Sequence, residues 1–474
     1  MIAKLKIFYR SVLFQIILVG LVSFAEPGIW NALNNLGAGG QQKPYLVNAA
    51  NSLTYGIMSI GCALAGGLCN KIGLKWTLVL GVIFYTPYAS SLYCNNRFGN
   101  EWYVLVGAAL CGIGASMFWA SEAAIGVGYP SESQRGRMVA IWLGIRNLAP
   151  LIGGSISLAV NVKGTQAGKV SYNTYLALIG LQCLGLPFAL LLSPTEKVRR
   201  PDGTPIPHLK GKQTSFKQEL REIFNTLKLP HMVLLIPIFI SGIWGTTYLS
   251  NYLTHYFSVR SRSLAALLTA VANIIGDVFI GFLTDTKRLG NQAQRARFTW
   301  LFFAVLTTSL WIWQTITQIH FTRNPKAVDW QGSTSRFNNA FAVFILWKFA
   351  YESQTVFLYW LVGTYPAKDG TMPRIVGVLR TFESIGSCLS YAVGATHWPN
   401  LNQCILSFAL WMVCLVPTTL AVLRVPTHLI EHTQHSSSSD SDQKEEPDQT
   451  ENSSIEIYNN KEQDVEEIDG KIKV

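Results

Sequence analysis

The dominant pattern in the chain is a succession of stretches roughly 20 residues long, apolar on every side and parted by short polar breaks. That is the length an α-helix needs to cross the hydrocarbon of a bilayer, whereas a helix on a water-soluble core keeps its apolar residues to one stripe. The runs fall at 11–33, 46–69, 76–93, 103–126, 138–161 and 173–192. After a polar segment they resume at 232–257, 264–283, 298–317, 341–364, 375–395 and 402–424. The expected fold class is an all-α membrane protein of twelve transmembrane helices in two pseudo-symmetric six-helix bundles, 1–192 and 232–425.

Between them, 193–231 reads as a cytoplasmic linker, rich in Pro and basic residues at first and then helical and amphipathic from Ser215 to Leu227. Beyond Pro426 the chain turns polar and holds 13 of its 27 acidic residues, with a serine run from Ser436 to Ser439. This is the composition of a disordered acidic tail open to phosphorylation. Lys4, Lys6 and Arg10 followed by an apolar run imitate a signal peptide. The run continues past the small residues at Ser23 and Ala25 to Trp30, so the expectation is an uncleaved first helix.

Composition sharpens the picture. Of 474 residues 49% are hydrophobic and only 14% charged, with a mean hydropathy of +0.25 in spite of the tail. The net charge of +11 comes from Lys and Arg scattered through the short breaks, which argues for topology and against nucleic-acid binding. These residues crowd the breaks on one side roughly two to one, placing both termini and the linker in the cytoplasm. Which membrane is occupied stays open. The eight cysteines lie mostly inside apolar runs without metal-ligand spacing and read as small apolar filler. With no P-loop, HExxH or GxSxG pattern, neither an enzyme nor a cofactor or metal site is expected.

Two pieces recur. Gly66-Gly67-Leu68-Cys69-Asn70-Lys71-Ile72-Gly73-Leu74-Lys75, after the second run, is echoed by Gly281-Phe282-Leu283-Thr284-Asp285-Thr286-Lys287 after the eighth. Glu122, Tyr129, Pro130 and Arg137 find a looser echo in Glu352, Tyr365, Pro366 and Arg374. The 66–75 segment resembles the loop between helices 2 and 3 of the major facilitator superfamily, with Asn70 where that family has aspartate. Ala149-Pro150-Leu151-Ile152-Gly153-Gly154 resembles its proline-glycine motif. Gly28-Ile29-Trp30-Asn31-Ala32-Leu33, Phe118-Trp119-Ala120-Ser121-Glu122-Ala123-Ala124-Ile125-Gly126 and Arg199-Arg200-Pro201-Asp202-Gly203-Thr204 look like fungal members of its uncoordinated-ninety-three-like branch. The resemblance implies the major facilitator fold. Animal members of the branch are known chiefly as potassium-channel regulators and receptor-trafficking proteins, so it implies two functions: transport of a small solute, or regulation of a partner membrane protein through the linker or tail.

Charges inside the runs are the candidate chemistry, because each costs roughly 2.5–3.5 kcal/mol on insertion scales. They are Glu26, Glu122, Arg146, Asp277, Lys348, Glu352, Arg380 and Glu383. Lys348 and Glu352, and Arg380 and Glu383, stand at helical i,i+4 and i,i+3 spacing, where each pair can neutralise itself or contribute to a midplane site. Arg146, about 13 Å into its expected helix, has no acid at that spacing and looks to Glu26 or Glu122. Pro27 and Gly28 break the first helix beside Glu26, a candidate proton carrier. Glu26, Arg146, Lys348, Glu352, Arg380 and Glu383 are thus the candidate substrate or proton-coupling residues. Asn70, Lys71, Gly73, Glu122, Asp277 and Asp285 are the candidate gating or structural ones. Trp119, Trp142, Trp244, Tyr248, Trp347, Tyr351 and Trp360 either line a cavity for an apolar or cationic solute or serve as packing and interface anchors.

Overall fold

In a computed structural model of the chain the described residues are 7–41, 43–130, 132–166, 168–204, 206, 221, 224–332, 334–365 and 372–427. These residues are folded as helices and short connections. Helix α1 (Val12–Ser23) is capped by Ser11, whose Oγ accepts the Phe14 amide, and passes through a π-helical turn, Phe24–Gly28, into α2 (Ile29–Asn35). There follow α3 (Pro44–Ile72), α4 (Leu74–Ile83), α5 (Thr86–Phe98), α6 (Trp102–Gly128), α7 (Glu132–Asn161), α8 (Tyr172–Gln182) and α9 (Gly185–Leu190). After the linker come α10 (Pro230–Gly242), α11 (Gly245–Tyr256), α12 (Val259–Asp285), α13 (Gln292–Arg323), α14 (Thr334–Val362), α15 (Met372–Ala395) and α16 (Asn400–Leu423). Among the described residues nine helical stretches are long and apolar enough to cross a membrane.

The helices differ from the expected runs at their ends and in their continuity. Helix α7 starts at Glu132, not 138, so Arg146 lies about 21 Å along it instead of 13. Helix α13 begins at a capping box in which Asn291 and Gln294 satisfy each other's backbone amides, a polar start that an apolar-run reading passes over. Four runs are interrupted: by the π turn at 24–28 and by turns at 84–85, 183–184 and 243–244. Proline explains the first, since Pro27 has no N–H to give to a regular helix.

Apolar packing gathers around two centres. One is built on α1 to α9, with Ile16, Leu33, Tyr88, Phe118 and Tyr175 at its heart, and takes in Val259 and Ala266 of α12; the other, on α10 to α16, holds Phe239, Tyr252, Phe303, Phe344 and Trp411. The two cores meet along α3 against α15 and α7 against α12. Gly154 makes the second contact possible: a β-carbon there would come within 2.7 Å of the Leu267 backbone, so only glycine lets the helices touch.

At the end away from both described termini the cores are tied by polar bonds. Arg262, fully buried, donates from Nε to the Leu36 carbonyl (2.8 Å), from Nη1 to Gly168 (2.6 Å) and from Nη2 to Gly37 (2.7 Å) and Gln41 (3.0 Å). The loop that offers three of those carbonyls turns through positive φ at Gly37, Ala38, Gly39 and Gly40. Around it, the Val259 and Arg260 amides donate to Gln166 and Gly164, and Asn48 donates to Asn251 and the Gly394 carbonyl. The Ala38 amide donates to Ser250, and Tyr45 stacks on His397 at 4.2 Å. Beside this closure Asp329 accepts from Ser258 and binds the Arg260 guanidinium through both oxygens, which holds its carboxyl below the usual carboxylate range.

At the other end the first part of the linker is docked, a departure from a loose tether. The Ser193 amide donates to Gln15 and the Arg199 amide to the Arg10 carbonyl, Arg200 donates to the Tyr129 carbonyl, and Val198 is buried. The Tyr129 hydroxyl pairs with Thr195, as the Tyr365 hydroxyl donates to the Ala421 carbonyl, so each tyrosine fastens the end of its own core. Most of the expected helix from Ser215 to Leu227 lies outside the described residues, as does the tail from 428.

Arg262→Ala removes four charge-assisted hydrogen bonds, and the closed end should then open more readily. A cysteine placed at Thr254, which is 3% exposed there, should react several-fold faster with a water-soluble thiol reagent in the Arg262→Ala background. Unchanged reactivity would mean that the closure does not depend on the guanidinium. Because the Asp329 carboxyl is held low in the folded state, its stabilisation is present above the unfolded carboxylate pKa and fades as pH falls toward the folded one. Asp329→Asn should therefore lower the melting temperature at pH 7, with the gap to the unaltered protein narrowing only below about pH 4.

Candidate functional site

Three of the helix interruptions converge on one place. A cavity of about 90 Å³, several times what one water needs, is lined by Pro27 of the π turn, Tyr85 of the 84–85 turn and Ile243 of the 243–244 turn. Trp30 and Asn31 of α2, Thr54, Tyr55 and Met58 of α3, Cys111, Ala115 and Trp119 of α6, and Arg380, Glu383, Ser384 and Ser387 of α15 complete it. The cavity thus draws walls from both cores. The helix that opens each core breaks at a corresponding point: α1 runs 12 residues before its π turn, and α10 runs 13 before its own turn. Interrupted helices at matching positions expose backbone polar groups where a solute can use them.

The charged lining is compact. Arg380 donates from Nη1 to Glu383 Oε2 at 3.2 Å, and the Tyr359 hydroxyl donates to the same oxygen at 2.9 Å. The Arg380 side chain is 46% exposed against 12% for Glu383, and both residues line the cavity. Its guanidinium centre lies 5.3 Å from the Trp119 ring centre and 4.9 Å from that of Tyr359. Arg146, arriving from α7 of the other core, lies 5.6 Å from the same Trp119 ring. One indole therefore carries a guanidinium from each core, both at cation–π distance.

The other sequence candidates are distributed around this pair. Glu122 is fully buried behind Trp119; its Oε1 accepts from Trp142 Nε1 at 2.7 Å and from Ser23 Oγ. Of the two acids that the sequence offers to Arg146, Glu122 is the one within its electrostatic reach, together with Glu352 and Asp277. Asp277 accepts from Asn147 at 3.4 Å across the contact of α7 with α12. Lys348 and Glu352, spaced for an ion pair, do not form one; the Lys348 ammonium sits 5.5 Å from the Phe344 ring instead. Glu26 faces away from the cavity, against α9, where a β-carbon on Gly185 would come within 2.2 Å of its Oε1. Both its oxygens are buried without a hydrogen bond, and Gln182 is its polar neighbour.

At the end near the termini, Gly73 terminates α3 with φ of +84°, and Lys71 is exposed. The side chains of Asn70 and Asp285 lie outside the described residues. Among the aromatic candidates, Trp119 lines the cavity and Trp142 holds Glu122, whereas Tyr248 and Trp347 are packed in the second core. The sequence reading passed over Trp30, Asn31, Tyr55 and Tyr85, which line the cavity, and Arg262. The signal for Arg262 was present: Ser258 caps the amide of Ser261, so α12 starts at Val259 and carries Arg262 in its first turn.

Comparison with known proteins agrees with this architecture. Solved structures of a D-xylose–proton symporter and a nucleoside transporter superpose with TM-scores of 0.59 and 0.57. The identities are 14% and 11%, over 89% and 87% of this chain and 98% and 100% of theirs, so the shared feature is the major facilitator fold. A notoamide biosynthesis cluster protein of Aspergillus versicolor is 32% identical over 89% of this chain and 90% of its own. A UNC93-like protein of Schizosaccharomyces pombe is also 32% identical, over 83% and 79%, and Arabidopsis thaliana UNC93-like protein 1 is 27% identical over 88% and 90%. The family model for the ion channel regulatory protein UNC-93 matches residues 45–358. The chain is a multi-pass membrane protein that belongs to the UNC-93 family.

Proposed function

We propose that the protein is a secondary transporter that moves a small solute by alternating access, with two six-helix bundles, 1–192 and 232–425, rocking about the cavity between them. The observation that carries this reading is the meeting of helix breaks from both cores at one cavity walled by both. In this reading the end bearing the termini is cytoplasmic, the linker 193–231 joins the bundles there, and the Arg262 closure seals the opposite mouth. Arg146, Lys348, Glu352, Arg380 and Glu383 supply the substrate and coupling groups. Glu122 and Asp277 hold the arginine and the helix contact, and a proton is the coupling ion, carried by Glu352 or Glu26.

A second reading has one observation in its favour: the family is described as ion channel regulatory. Under it the protein controls or escorts a partner membrane protein through the linker and tail, and the Asn70 departure from the usual loop aspartate fits a device that need not cycle.

The discriminating measurement is flux of a broad solute panel in cells lacking and overproducing the protein, at two external pH values. At least one solute should move in step with the protein and with pH. Arg146→Ala should abolish that flux, and Glu352→Gln should keep it while flattening its pH response. If no solute responds, and deleting 426–474 alters the abundance of another membrane protein, the regulator reading replaces the transporter.

A further inference from the structure

Resting on the transporter reading, the next question is what chemistry the cavity selects. Neutral and cationic solutes are what aromatic walls alone suggest. The two guanidiniums change that. Arg146 makes no hydrogen bond and forms no ion pair among the described residues, its side chain is only partly buried, and it stands beside the cavity against Trp119, which is part of the wall. Arg380, in the cavity wall, gives a single nitrogen to Glu383 and keeps 46% of its side chain exposed. Two of the acids nearby are already engaged: Glu122 by Ser23 and Trp142, Glu383 by Tyr359 and Arg380. Trp119 holds both guanidiniums against its ring, which fixes their positions without satisfying their N–H groups.

We infer that the cavity takes a small organic anion whose carboxylate or phosphate accepts hydrogen bonds from Arg146 of one core and Arg380 of the other, its apolar body lying among Trp30, Tyr55, Met58 and Tyr85. Guanidinium forks suit such planar acceptors better than any neutral group. Because one arginine comes from each core, the bound anion joins the two bundles and is released when they part. Glu352 is the competitor. It lies within electrostatic reach of Arg146 and Arg380, with Lys348 on its own helix, Asp277 on α12 and Glu383 on α15 as its other charged neighbours, so its charge competes with the solute's anionic group for the field of the arginines.

The test uses the purified full-length protein and three probes that share one ring: indole-3-acetate, indole-3-acetamide and tryptamine, with phenyl phosphate as a second anion. Binding is read by thermal shift and by quenching of tryptophan fluorescence at up to millimolar concentration. At least one anion should bind while the amide and the amine do not. Arg146→Ala and Arg380→Ala should each weaken it roughly tenfold or more, as loss of a charge-assisted bond requires. Glu352→Gln should bind the anion at least as tightly as the unaltered protein. Should an alanine variant misfold, the lysine variant of the same position keeps the charge but loses the fork and should bind detectably less well.

The inference is overturned if neither anion binds, if the amine or amide binds better, or if anion binding survives loss of either arginine. Anion binding without flux in proteoliposomes would leave the anion site standing and remove the transporter reading. Flux restricted to neutral or cationic solutes would do the reverse.

Discussion

Charge is expensive wherever water is scarce, and the arrangement of this protein follows from where each of its interior charges finds compensation. Arg262 finds it in backbone carbonyls, Glu122 in a hydroxyl and an indole N–H, Glu383 in a tyrosine and an arginine. Arg146 finds a ring and, without a hydrogen bond, only the more distant charges of Glu122, Glu352 and Asp277. The first group can be buried in closed packing; Arg146 and Arg380 require a cavity. The interrupted helices supply one, because a continuous α1 or α10 would place regular apolar surface where Pro27 and Ile243 now frame the opening.

That constraint also separates what was legible in the sequence from what was not. Lengths of apolar run carry the helices because lipid allows little else, and the break at Pro27 was readable from its missing N–H. The exposed side of the charged cluster was legible only in part. Arg380 and Glu383 do pair at their i,i+3 spacing, but Lys348 and Glu352 at i,i+4 do not, since spacing puts two side chains on one face without saying which rotamers the neighbours allow. Arg146 was placed too shallow because α7 begins with a polar turn that hydropathy reads as loop.

Arg262 was missed for the same reason at the other end of the molecule. A charge beside a polar break looks like topology, and only the fold shows that the break is enclosed by Leu36, Gly37, Gln41 and Gly168. The aromatic lining from Trp30, Tyr55 and Tyr85 comes from two helices and a turn, a juxtaposition that one-dimensional periodicity does not encode. Glu26 shows the converse: its position beside a helix break pointed to the cavity, yet α9 covers it, because in a π turn consecutive residues face different neighbours.

The choice of acceptors around Arg262 has a bearing on how the two mouths of the protein respond to their surroundings. Carbonyl oxygens do not titrate at any pH a cell experiences, so these four bonds keep the same strength in acid and in neutral fluid. The cavity wall, by contrast, includes the carboxylate of Glu383, a group of the kind that does titrate. A guanidinium held by carbonyls thus makes a latch indifferent to acidity, and the chain can drift in sequence along the latch's rim wherever the backbone keeps its path.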